Sequence, residues 1–167
     1  MTQQAIRLFI TGGTIDKDYN PISGELGFAN SHLDQLLTEA NTTLAIKPHQ
    51  LMLKDSLDMN EDDRLIISQA CQQCAEQHIV ITHGTDTMTL TAQSLLQNPQ
   101  LNNKTIVLTG AMRPFKLSNS DAAFNIGSAL MAVQLQPPGV YICMNGKVFN
   151  GNKVIKDKQA GQFTLPA

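Results

Sequence analysis

The chain has 167 residues, 42% of them hydrophobic and 16% charged, and a formal net charge of −2. This is the composition of one globular domain rather than a disordered chain, and a chain of this length can bury about 70% of its unfolded surface. It carries no lysine or arginine run and no apolar run of bilayer-spanning length, which argues against nucleic acid or a membrane as partner.

The N-terminal "MTQQAIRLF" lacks the long apolar core of a signal peptide, so the expected home is the cytoplasm. Within it "IRLFI" (residues 6–10) is a short apolar run that predicts a buried parallel strand. Thr11 and Thr14 bracket Gly12-Gly13, and a polar loop with Tyr19, Gly24 and Gly27 follows. Leu33, Leu36 and Leu37 then share one face of a predicted helix over residues 30–40, with Asn30 or Ser31 as cap. Residues 43–55 read as strand interrupted at Pro48. Asn60 caps a helix over residues 61–77, whose acidic first turn suits the positive helix end.

"HIVITHG" (78–84) predicts a strand and "TDTMTLTAQSLLQ" (85–97) a helix, stopped by Asn98-Pro99. "KTIVLTG" (104–110) is a third clear strand, and "DAAFNIGSALMAVQL" (121–135) a helix broken by Pro137-Pro138-Gly139. The final segment reads as a strand and a hairpin-like turn through Asn145-Gly146. Alternating strands and helices imply an α/β domain with a mainly parallel sheet and no internal repeat or linker. Cys71 and Cys74 form an incomplete CxxC without a second pair, and Cys143 stands alone, so incidental cysteines and no metal are expected.

Parallel sheets place ligand sites outside the carboxyl ends of their strands. The strand-to-helix junctions here are rich in hydroxyls and carboxylates: Thr11 and Thr14, then Ser56 and Asp58, then Thr82, His83, Thr85 and Asp86, and finally "TGAMRP" and "SNSD". Singly these are ordinary caps and turns. Together they converge on one sheet edge. A threonine hydroxyl needs a base before it attacks, and His83, Asp86, Asp58, Lys153, Lys156 and Lys158 all stand near these motifs. On propensity His83 is the first candidate, against a structural histidine at the strand end. No G-x-S-x-G, G-x-G-x-x-G or phosphate-loop lysine motif occurs, so neither a serine hydrolase nor a nucleotide cofactor is expected.

"ITGGTI", "DSLDM", "ITHGTDTM" and "LTGAMRP" occur in an order and spacing similar to the bacterial-type L-asparaginase family, and "GKVFNGNKVIK" resembles its later segment with a catalytic lysine. "YNPISG" looks closer to the family's cytoplasmic type I than to its periplasmic type. The resemblance implies the family's three-layer, flavodoxin-like N-terminal domain over residues 1–167, with helices on both faces of the sheet and the C-terminal domain absent. It implies hydrolysis of a side-chain amide, of L-asparagine or a related small amide, to acid and ammonia, without cofactor. Thr14 would be the nucleophile, Tyr19 its deprotonating partner on a lid, and Thr85, Asp86 and Lys156 the second hydroxyl–carboxylate–amine group. Ser56, Leu57, Gly84, Thr85, Asp86 and Ala111 would contact substrate, with Ser56 at the α-carboxylate, Asp86 at the α-amino group and backbone N–H groups near Thr85 on the amide oxygen.

Two features depart from the family pattern. The chain is about half the usual family length, so the neighbouring subunit's second domain that completes the family's site is expected to have no counterpart here. Leu57 stands where the family carries a glutamine or serine. Both bear on recognition of the substrate's backbone rather than on the nucleophile. A homo-oligomer, a dimer, would partly rebuild the missing wall. The alternative reading is a module that binds a small amino acid or amide without turnover.

Overall fold

The computed structural model describes residues 4–166. Of the N-terminal stretch read for a signal core, residues 1–3 lie outside the described residues.

A central sheet carries the architecture. Its strands are β1 (Ile6–Gly12), β4 (Ile46–Lys54), β5 (His78–Thr82), β6 (Thr105–Thr109), β7 (Gly139–Met144) and β8 (Lys147–Asn150), in the spatial order β4-β1-β5-β6-β7-β8. The first five run parallel and β8 returns antiparallel. In chain order the parallel strands stand second, first, third, fourth and fifth, the flavodoxin-like arrangement. The topological switch point therefore falls between β1 and β5. Helices α1 (Leu33–Glu39) and α4 (Ala122–Leu135) cover one face, and α2 (Glu61–Gln73) and α3 (Met88–Leu96) the other.

Strand alternation feeds both layers. Ile79 and Ile81 pack with Ile67 of α2 and Ala92 of α3, while Val80 between them packs with Ile126 and Ala129 of α4. A strand buried on both faces must be apolar throughout, which is why "IRLFI" and "HIVI" read as continuous runs.

The elements follow the sequence expectations with several differences. β4 runs straight through Pro48, which pairs with Leu8. It is the edge strand, where a missing N–H disturbs one side only. α1 starts at Leu33 with His32 as its cap residue, not Asn30 or Ser31. The Ser31 hydroxyl accepts from the Leu33 N–H at 3.2 Å while donating to Asp16, and the His32 N–H also bonds Asp16. α2 ends at Gln73 rather than reaching residue 77, with Cys74 as its C-cap. Asn60 and Asp63 form the reciprocal cap at its start.

A further difference is the chain after β8. The expected turn is present, with Asn145 and Gly146 at φ 56° and 73°, the mirror-type conformation of a two-residue hairpin. Beyond it a further hairpin forms from β9 (Ile155–Asp157) and β10 (Gln162–Thr164). Phe163 buries itself in the α2/α3 layer, and its N–H bonds the Asn145 side chain at 3.0 Å. A smaller ribbon, β2 (Asp18–Tyr19) with β3 (Leu26–Gly27), occupies the expected polar loop.

The three cysteines are free. Burial pushes the Cys71 thiol far up and that of Cys143 to about 11. Among the described residues no group of three or more His, Cys, Asp or Glu side chains could hold a metal ion. No helix among them is long and apolar enough to cross a membrane.

At the opposite sheet edge from the junctions, Glu76 accepts from Lys47 at 2.8 Å and from Arg7 at 3.1 and 3.2 Å. The Lys47 bond leads, with Arg7 assisting, in pulling its carboxyl from 4.5 to about 2. A depressed pKa gives stability that is complete above the unfolded value and lost as pH falls through the folded one. Acid unfolding curves should therefore lose stability between about pH 4.5 and 2 through this group. Glu76→Gln should flatten that part of the pH–stability profile.

Candidate active site

The site begins with glycine. Gly12 and Gly13 lie at φ 100° and 79°, a region that side chains with a Cβ rarely adopt. A Cβ on Gly12 would stand 2.5 Å from the Lys54 nitrogen, and one on Gly13 would strike the backbone of Gly84. Gly84 in turn presses on Ser56, whose Cβ would lie 2.6 Å from a side chain there. A Cβ on Gly110 would collide with the His83 carbonyl. The junctions after β1, β4, β5 and β6 thus meet backbone to backbone, and only glycine permits that approach.

Strand-end threonines tie the same edge. The Thr11 hydroxyl donates to the Thr82 carbonyl at 2.7 Å, and that of Thr109 to the Cys143 carbonyl at 2.8 Å. Thr14 opens a single 3-10 turn (Thr14–Asp16) directly beyond the glycines and is half-buried. Its hydroxyl has no hydrogen bond among the described residues, in contrast to those of Thr11 and Thr109.

Across the switch point a lysine joins the two side chains after β5. Lys156 Nζ donates to Thr85 Oγ1 at 2.8 Å and to Asp86 Oδ1 at 2.7 Å. Thr85 is buried, the Lys156 side chain is 10% exposed and that of Asp86 35%. The ammonium comes from β9, opposite Phe163, so the buried phenyl ring anchors the hairpin that delivers it. Neither Lys153 nor Lys158 reaches this pair.

These contacts change the expected secondary structure. α3 starts at Met88, with Thr87 as its cap residue, rather than at Thr85. Thr85 and Asp86 are held by Lys156, while Thr87 donates its N–H to Ser56 Oγ at 3.3 Å and its hydroxyl to the Ser56 carbonyl at 2.8 Å. Tertiary bonds therefore keep three residues out of the helix. Free N–H groups at a helix start belong to the turn after Thr87, not to Thr85.

His83 takes the structural alternative. It is fully buried, with Nδ1 at 2.7 Å from the Gly84 carbonyl and Nε2 at 2.8 Å from Thr91 Oγ1. A carbonyl only accepts, so Nδ1 carries the proton and Nε2 accepts from Thr91. Burial lowers the pKa to about 4, and the ring is neutral at pH 7.

The remaining predicted residues are dispersed in character. Ser56 is buried and heads the 3-10 turn Ser56–Asp58, capped by Asp55, which accepts from the Leu57 N–H at 3.1 Å. Leu57 is 66% exposed, so its side chain leaves no buried partner unpaired within this chain. Ala111 is buried beneath the junction after β6, whose Met112 and Arg113 N–H groups bond the Asp121 carboxylate at about 3 Å. Tyr19 is 54% exposed on the β2–β3 ribbon, with no hydrogen bond from its hydroxyl to Thr14. Lys17 binds Asp55 at 2.5 Å across the mouth, and that bond leads in lowering the Asp55 pKa.

The described geometry coincides with a family match over nearly the whole chain. Residues 5–163 match the family model "Asparaginase, N-terminal". The chain belongs to the asparaginase family. It is 30% identical to an L-asparaginase of Thermococcus kodakarensis over 90% of this chain and 47% of that protein. Against L-asparaginase 1 of Escherichia coli the identity is 27%, over 93% of this chain and 48% of the other. The crystal structure of a probable cytoplasmic L-asparaginase from Campylobacter jejuni superposes with a TM-score of 0.85 at 28% identity, covering 98% of this chain and 53% of that one. The chain thus spans about half the length of each of these three asparaginases.

Gly13 tests the packing of this asparaginase-type edge. Gly13→Ala places a Cβ against the Gly84 backbone at a positive φ. It should cost more than about 2 kcal/mol in urea unfolding, well beyond an ordinary surface change. An equally stable variant would show that the junctions can separate without loss.

Proposed function

We propose that the chain is an asparaginase-type amidohydrolase that cleaves a small side-chain amide, such as that of asparagine, through a threonyl ester. The observation that carries this reading is the Thr85–Lys156–Asp86 cluster set across the β1/β5 switch point from the Thr14 turn. A hydroxyl held by an ammonium beside a carboxylate is a chain through which a proton can move.

Thr14 Oγ attacks the amide carbon and gives up its proton, with Tyr19 assisting from the ribbon. The carbonyl π pair moves to oxygen, and backbone N–H groups of the loop that carries Thr85, ahead of the α3 turn, stabilise that oxyanion. Collapse breaks the C–N bond, and the leaving nitrogen takes a proton and departs as ammonia. Water then adds to the ester, guided by Thr85, and the ester bond breaks to restore Thr14 and free the acid. Lys156 serves as electrostatic partner and proton shuttle to Thr85, with Asp86 balancing its charge. Ser56, Leu57, Gly84 and Ala111 line the substrate side, and Asp86 faces the substrate's amino group.

The setting is a cytoplasmic homodimer with no cofactor, and residues 1–167 act as one unit. A partner copy narrows the mouth that Leu57 and Tyr19 leave open, since both are more than half exposed. The same exposure favours, as second reading, a module that binds an amino acid or amide without turnover.

The deciding assay is ammonia release from asparagine, glutamine and simple amides. Thr14→Ala and Thr85→Val should each lower kcat by roughly 10³-fold or more, and Lys156→Met by at least about 10²-fold, with binding retained. Tight binding without turnover in the unaltered chain establishes the binding module. Unchanged hydrolysis by Lys156→Met removes the shuttle role.

A further inference from the structure

Asp16 ends the same 3-10 turn that Thr14 begins. The threonine chemistry gives it no task, yet it is 0% exposed. Its Oδ1 accepts two hydrogen bonds, from the Ser31 hydroxyl at 2.9 Å and from the His32 N–H at 2.8 Å. Its Oδ2 has no hydrogen-bond partner among the described residues; Nε2 of His32 has none either and stands 4.0 Å from Asp18 Oδ2, a further contact across the ribbon's neck. Burial pushes its carboxyl above the usual 3.8, against the lowering effect of the His32 and Ser31 bonds. A buried carboxylate with one idle oxygen is costly, so the useful atom is the other one.

That atom joins two distant points of the chain. Ser31 and His32 stand at the far end of residues 17–30, the segment that carries Tyr19. The segment folds back on itself: Asp18 pairs with Gly27 and Tyr19 with Leu26, and the Asn20 N–H bonds the Glu25 carbonyl at 2.9 Å. Lys17, beside Asp16, lies 5.6 Å from the Phe28 ring and adds another contact across the neck. Closing a loop of this kind costs conformational entropy. The Asp16 oxygen is where that closure is made, two residues from Thr14.

We infer that Asp16 is a positioning residue whose Oδ1 clamps residues 31–32 to the Thr14 turn and so fixes the Tyr19 ribbon relative to that threonine; its catalytic consequence, though not the clamp itself, rests on the amidohydrolase reading. The clamp needs an acceptor oxygen and not a charge. Asparagine supplies the same oxygen without the cost of a buried ion.

The test compares Asp16→Asn, Asp16→Ala and Ser31→Ala with the unaltered chain, by amide hydrogen exchange and by ammonia release. In Asp16→Ala the amides of residues 18–29 should exchange about tenfold faster or more, while those of α2 and α4 hold. Its kcat should fall about tenfold or more. Asp16→Asn should stay within about twofold of the unaltered chain in both readouts and melt at the same or a higher temperature. Ser31→Ala removes one of the two bonds and should give an intermediate exchange rate, which keeps the clamp testable if Asp16→Ala does not fold. Unchanged exchange in Asp16→Ala, or in Ser31→Ala where the first does not fold, overturns the clamp. So does an Asp16→Asn as impaired as Asp16→Ala. A faster ribbon with no turnover in any protein, including the unaltered one, upholds the clamp and overturns the amidohydrolase reading.

Discussion

The close approach of Gly13 to Gly84 is the constraint on which the rest of this molecule depends. Two parallel strands that lie side by side but leave in opposite directions open a crevice between their following loops. Here that crevice is narrowed until backbone meets backbone, and Gly84 carries the contact on to Ser56. Any side chain at these positions would part the loops. With the loops in contact, the turn that begins at Thr14 and the pair Thr85–Asp86 follow the neighbouring strands β1 and β5 on either side of the switch point.

The polar frame then follows from what the glycines leave free. Of the strand-end hydroxyls, those of Thr11 and Thr109 donate to neighbouring carbonyls, while that of Thr82 is buried without a hydrogen-bond partner among the described residues. Thr87 is bound to Ser56, and His83 is closed off by Gly84 and Thr91. Thr14 lacks such a bond, and Thr85 accepts from Lys156. The histidine, which unperturbed titration would favour as a base, is neutral and fully engaged because its burial penalises charge.

Much of the sheet was legible in the sequence. "HIVIT" and "TIVLT" read as strands from their short apolar runs, and the structure shows why: alternate residues enter different apolar layers. The Asn145-Gly146 hairpin was legible because its backbone needs positive φ at both residues. The start of α3 was not. Its true boundary is set by Lys156 and Ser56, which are remote in sequence, and no local cap rule weighs such bonds. The run through Pro48 was likewise hidden, because only the sheet order says that β4 is an edge.

The sequence by itself determined the alternation of strand and helix, the clustering of hydroxyls at the junctions and the motifs that mark the asparaginase family, because these depend on local propensity and on residue identity. Only the tertiary structure decided how those groups are bonded. It brought Lys156, which the family resemblance had already marked, to Thr85 and Asp86 through a hairpin anchored by Phe163 that has no strong local signal. It assigned His83 to the core and Asp16 to the neck of the Tyr19 ribbon. Hydrogen bonds between residues far apart in the chain depend on how the loops meet, and that meeting is a property of the folded sheet edge, not of any one segment.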